Sequence, residues 1–99
     1  MFCAYLDLPS APVLTTTPSN TTILRGNPLS IICHTDANPA AHVYQFYVND
    51  ILIANRSNGV LNITVNMDGR YTCLPINSLG PGHNTTVNVT VVGKYRFNK

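Results

Sequence analysis

The sequence has no tryptophan and no glutamate, and its only acids are Asp7, Asp36, Asp50 and Asp68. A paired-carboxylate catalytic site would need two of these to converge, and no motif around them implies it. His34, His42 and His83 are dispersed along the chain, and no cysteine is spaced to join them as metal ligands. Serine and histidine occur without a nucleophile elbow or any triad signature. The sequence thus offers no catalytic residues, no metal site and no cofactor motif, and the expected class is not an enzyme.

Charge is scarce as well. The net charge is +2, and Arg25, Arg56, Arg70, Lys94, Arg96 and Lys99 are scattered apart from the last few. A nucleic-acid-binding surface needs a dense basic face, so that class is set aside. No apolar run approaches membrane-spanning length, so direct insertion by this segment is not expected. Helical periodicity is missing too, which leaves a strand-based fold.

What the chain does have is serine, threonine, asparagine and valine in short alternating runs, at a length that makes one domain of modest core. Residues 1–11 read as linker or gene-model extension, 12–92 as the domain and 93–99 as tail or linker. Pro12 to Thr15 and Thr21 to Leu24 are the first two strands, with prolines placed as on sheet edges. Leu29 to His34 follows, with Leu29, Ile31 and Cys33 inward. His42 to Asn49 places Tyr44, Phe46 and Val48 inward and Gln45, Tyr47 and Asn49 outward. Ile51 to Ala54 is a short strand after the Asn49-Asp50 turn.

Val60 to Val65 is next, in one of two registers. One turns Val60 and Ile63 inward; the other turns Leu61, Ile63 and Val65 inward, and the direction of Asn62 is left open with that choice. Arg70 to Leu74 and a long final strand with Val87, Val89 and Val91 alternating complete the series. Short strands with turns every eight to twelve residues predict a two-sheet sandwich.

Five Asn-x-Ser/Thr sequons occur, at Asn20, Asn55, Asn62, Asn84 and Asn88. Composition alone predicts about two. The excess points to glycosylation on a secreted surface, against the plainer reading of a polar β-surface with accidental sequons. The opening residues carry no basic n-region and have an acid at Asp7, unlike a signal peptide. The expectation is a piece of a longer secreted or membrane-anchored protein.

Asp68-Gly69-Arg70-Tyr71-Thr72-Cys73 carries a family resemblance. A tyrosine two residues before a cysteine, after a glycine turn, is similar to the tyrosine corner of immunoglobulin-like domains. The general pattern extends over Pro12 to Val92. Locally, Tyr44 to Asn49 and Asn62 to Asn66 running on to Cys73 resemble the C2-type domains of carcinoembryonic-antigen-related cell adhesion molecules.

The resemblance implies an all-β, two-sheet antiparallel sandwich of C2/I type (strands A/A′, B, C, C′, E, F and G), with Gly69 and Tyr71 forming the corner. It implies a disulfide between Cys33 and Cys73, the alternative being two reduced thiols as in muscle-type domains; Cys3 is left over. The family's aspartate six residues before the second cysteine is Met67 here, and its buried tryptophan is Phe46. The outward residues Gln45, Tyr47, Asn49, Arg70 and Thr72, with Thr86 and Thr90, form a possible recognition face or an ordinary wet sheet. The implied function is an extracellular binding module for adhesion or recognition, engaging a protein partner homophilically or heterophilically beside neighbouring domains of the same kind. A structural spacer and an intracellular muscle-type domain are the alternatives.

Overall fold

The computed structural model describes residues 6–93. Nine strands and no helix make up the described residues: β1 (Val13–Thr17), β2 (Thr22–Leu24), β3 (Pro28–His34), β4 (Val43–Val48), β5 (Ile51–Arg56), β6 (Val60–Thr64), β7 (Gly69–Asn77), β8 (Gly80–Pro81) and β9 (Thr85–Val92). One sheet has the order β1-β3-β6. The other runs β2-β9-β7-β4-β5, with β8 against the end of β7. All neighbours are antiparallel except β2 and β9, which run parallel. The first two strands therefore lie in different sheets, β1 on β3 and β2 on β9, and the fold is an immunoglobulin-like sandwich.

Period-two alternation builds the core. Leu29, Ile31 and Cys33 from β3 are buried against Phe46 and Val48 from β4, Tyr71 and Cys73 from β7 and Val89 from β9. The register question on β6 is answered by alternation: Leu61 and Val65 are buried and Ile63 partly so. Asn62 lies between two inward residues and is exposed. It pairs with Ser30 across the β3–β6 ladder, which fixes that face.

Three boundaries differ from the sequence expectation. The strand expected to stop at Leu74 continues to Asn77. Pro75 is tolerated there because the β9 ladder ends at Cys73–Thr85, so the strand has no further β9 neighbour that needs a proline N–H. The short strand expected over Ile51 to Ala54 runs on through Asn55 to Arg56.

The third concerns residues 1–11, expected as linker or gene-model extension. From Asp7 onward the chain is fastened to the body: the Asp7 amide donates to Asn38 O (2.7 Å), the Ser10 amide to Asp36 O (3.0 Å) and the His83 amide to Pro9 O (3.2 Å). Pro9 is fully buried, with Gly82 so close that a side chain there would collide with it. Cys3 and the tail 94–99 lie outside the described residues.

Candidate recognition face

The centre of the molecule is the bond between Cys33 on β3 and Cys73 on β7, with Cα atoms 6.5 Å apart. It joins the two sheets. Phe46, 2% exposed, stands opposite Cys73 in the β4–β7 register and supplies the aromatic cover that an indole would otherwise give.

Tyr71, two residues earlier on β7, also points inward, and its hydroxyl donates to the backbone carbonyl of Met67 (2.6 Å). Because the acceptor is backbone, replacing the family's aspartate by Met67 does not remove this bond. Burial pushes the Tyr71 phenol above its ordinary range, and the Asp68 carboxylate adds to the rise.

Gly69 opens β7 with φ of 139°. Any side chain there would run into the amide of Asn49. That amide is engaged through both its polar atoms: Asn49 Nδ2 donates to Asp68 O (3.2 Å), and its Oδ1 accepts from the Arg70 amide (2.9 Å). Asn49, assigned from sequence to the recognition face, here clamps the start of β7 from the β4–β5 turn.

The inward set on β7 dictates an outward set between its members. Thr72 and Leu74 face out, flanked by Tyr47 and Gln45 on β4 and by Thr86 on β9. The Tyr47 hydroxyl donates to Gln45 Oε1 (2.8 Å), and the Thr72 and Thr86 hydroxyls are 2.8 Å apart. Arg70 Nη2 pairs with Asp50 Oδ2 at 2.9 Å, both side chains well exposed.

Together Tyr47, Asp50, Arg70, Thr72, Leu74, Asn84 and Thr86 line an open hollow of about 350 Å³. The structure thus gathers Gln45, Tyr47, Arg70, Thr72 and Thr86 on one surface. It adds Asp50 and Leu74, which sequence reasoning missed. The turn at Asn49-Asp50 carried the missed signal for Asp50, since a two-residue hairpin turn returns its acid beside the neighbouring strand.

All five sequon asparagines are exposed. Asn20 is in the β1–β2 connection, Asn55 near the end of β5 and Asn62 on the outer face of the three-stranded sheet. Asn84 and Asn88 belong to the other sheet's outer side: Asn84 lines the hollow, and Asn88 is the register partner of Arg70.

Two further features were not foreseen. On the edge strand β5, Ile51, Leu52 and Ile53 are exposed in a row. At the opposite end of the body, Asn77 is buried. Its Nδ2 donates to Asp7 O (2.7 Å) and Pro39 O (2.9 Å), and its Oδ1 accepts from the Leu79 amide (2.9 Å). Among the described residues, no three of His, Cys, Asp or Glu converge as a metal-binding group.

The family model for the immunoglobulin domain matches residues 11–91. Among solved structures, the chain is similar to Dscam1 isoform 4.44, N-terminal four Ig domains, at 20% identity and a TM-score of 0.66 over 88% of this chain and 21% of that one. It is similar to the full ectodomain (Ig1–Ig3) of mouse nectin-like molecule 4 at 15% identity and a TM-score of 0.63, over 93% of this chain and 33% of that one. Tandem Ig repeats of Dlar match at 21% identity and a TM-score of 0.59, over 88% of this chain and 46% of that one. The chain therefore spans a fifth to under a half of these multi-domain structures. Matched from residue 11 to residue 91, and built as a two-sheet sandwich around a bridged cysteine pair, the chain belongs to the immunoglobulin domain family.

Proposed function

We propose that the chain is an extracellular binding module of a cell-surface or secreted protein, acting in adhesion or recognition by non-catalytic protein–protein contact. The observation that carries this reading is the outward face of β4, β7 and β9. There an aromatic ring, an amide, a guanidinium and two hydroxyls surround one open hollow. Such a mixture of rigid amphipathic and hydrogen-bonding groups is the composition of recognition surfaces. Five exposed sequon asparagines and the bridged cysteines support an oxidising, glycosylating compartment. The same features argue against an intracellular muscle-type role.

The partner is a protein, homophilic or heterophilic, and the parent chain carries neighbouring domains of the same kind. The multi-Ig arrangement of the similar structures supports the latter. A second reading, a spacer in such an array, is favoured by the fastening of Asp7 to Ser10 along the body, which would hold a preceding domain at a set angle.

One experiment separates the two. The oxidised, secreted chain is measured by analytical ultracentrifugation at high concentration and presented to cells, alongside Tyr47→Ala and Arg70→Ala. A dimer or cell capture that both substitutions weaken supports recognition by this face. A strict monomer with no capture, unchanged after enzymatic removal of N-linked glycans, supports the spacer.

A further inference from the structure

Asn84 differs from the other sequon asparagines in its surroundings. It lines the hollow on the outer face of the six-stranded sheet together with Thr72, Leu74, Thr86 and, two strands away, Tyr47. Tyr47 is on β4 and Asn84 immediately precedes β9, with β7 between them. Two strand spacings across and two residues along the strands separate the two positions, about 12 Å between Cα atoms, from which the Tyr47 ring reaches back toward Gln45. That is the distance an asparagine side chain and a first sugar ring can bridge.

The lining has the chemistry a pyranose needs. Tyr47 and Leu74 present apolar surface for the C–H face of a ring, while Thr72, Thr86 and the Asp50–Arg70 pair border it with donors and acceptors. At about 350 Å³ the space is within the range of small-ligand pockets, and it is open toward solvent, so further sugars could leave it.

We infer that Asn84 carries an N-linked glycan whose first N-acetylglucosamine is seated in this hollow against Tyr47, so that the chain's own sugar covers the centre of its recognition face. The linkage is made by a host transferase from a lipid-pyrophosphate-linked oligosaccharide. The bond from Asn84 Nδ2 to sugar C1 forms, the C1–O bond to pyrophosphate breaks, and one amide proton leaves with the lipid pyrophosphate. Seating is then non-covalent. Partner binding at the face depends on whether Asn84 is modified, which makes glycan occupancy the control on recognition.

The inference rests on the extracellular reading. Its test uses the full chain secreted from a mammalian host, with Asn20, Asn55, Asn62 and Asn88 changed to Gln. An endoglycosidase trims the remaining glycan to one N-acetylglucosamine. Intact mass reports whether Asn84 is modified, and nuclear Overhauser contacts are sought between the acetamido methyl of the sugar and the Tyr47 ring.

The expected result is a modified Asn84, a clear contact to Tyr47, and a melting temperature about 4 °C above the enzymatically deglycosylated chain. Tyr47→Ser should erase that shift. A modified Asn84 whose sugar shows no contact to Tyr47 overturns the seat and leaves the extracellular reading intact. Should the wild-type chain emerge with all five asparagines bare, both readings fall. If the Gln background or the Tyr47 variant does not fold, the same contact is sought in the wild-type chain trimmed at every occupied site, and its absence is equally decisive.

Discussion

Strand β7 carries a buried polar anchor at each end, and the two work over very different distances along the chain. Near its start the Tyr71 hydroxyl reaches back four residues to the carbonyl of Met67. At its end the Asn77 amide ties together Asp7, Pro39 and Leu79, with its two donor bonds spanning 70 and 38 residues. The phenol closes a local corner that any chain entering such a strand can form. The amide joins three segments that are distant in sequence, and it adds to the backbone bonds that fasten residues 7–10 to the body. A local anchor is worth one hydrogen bond, whereas a convergent one also spares several buried backbone groups from going unsatisfied.

The strongest perturbation removes the strut between the two anchors. Reducing the cystine, or replacing Cys33 with Ala, should cost about 4 kcal/mol by the loop-closure argument, measured as the drop in unfolding free energy in denaturant. Asn77→Ala ranks next, with an expected loss of about 3 kcal/mol, since it strips partners from two backbone carbonyls and the Leu79 amide. Hydrogen exchange sharpens the comparison: in Asn77→Ala the amides of Asp7 and Ser10 should lose protection, while those of β4 keep it.

Tyr71→Phe should cost about 1 kcal/mol at neutral pH, the value of one hydrogen bond to backbone. It should also alter the alkaline limb of stability. Because the folded protein holds the phenol proton more tightly than the unfolded chain, this stabilisation is complete below the ordinary tyrosine value of about 10 and is lost as pH rises through the folded value. Wild type should therefore weaken above about pH 10 more steeply than Tyr71→Phe in pH-dependent denaturation. Smallest of all, Arg70→Ala should change stability by less than about 0.5 kcal/mol, because its ion pair with Asp50 is solvent-exposed. A larger loss would mean that this face contributes to holding the fold.

The same contrast explains what could be read from sequence. The corner, the cysteine pair and the inward alternation of Leu29, Ile31, Phe46 and Val89 are local or periodic signals, and all three appear in the structure. The outward set around Tyr47 follows from the same parity. From sequence Asn77 reads only as the start of a turn, because an asparagine before Ser78 is ordinary turn chemistry and nothing nearby reveals Asp7 or Pro39. Pro75 likewise reads as the end of a strand unless one knows that the β9 ladder has already stopped. Asn49 fell on the outward face by parity, yet its positive φ of 50° turns the amide back to the chain.

The parallel pairing of β2 with β9 has a mechanical meaning. Thr22, Ile23 and Leu24 are matched to Thr90, Val91 and Val92, so a strand near the entry of the domain runs alongside the one at its exit. Tension applied between the two termini would slide these strands past each other, loading their hydrogen bonds together in shear instead of unzipping them singly. A tug on the molecule would thus meet its resistance at this short seam, and stretching an Arg25→Pro variant, which lacks the amide that donates to Val92 O, by atomic force microscopy should show a lower rupture force if the seam bears the load.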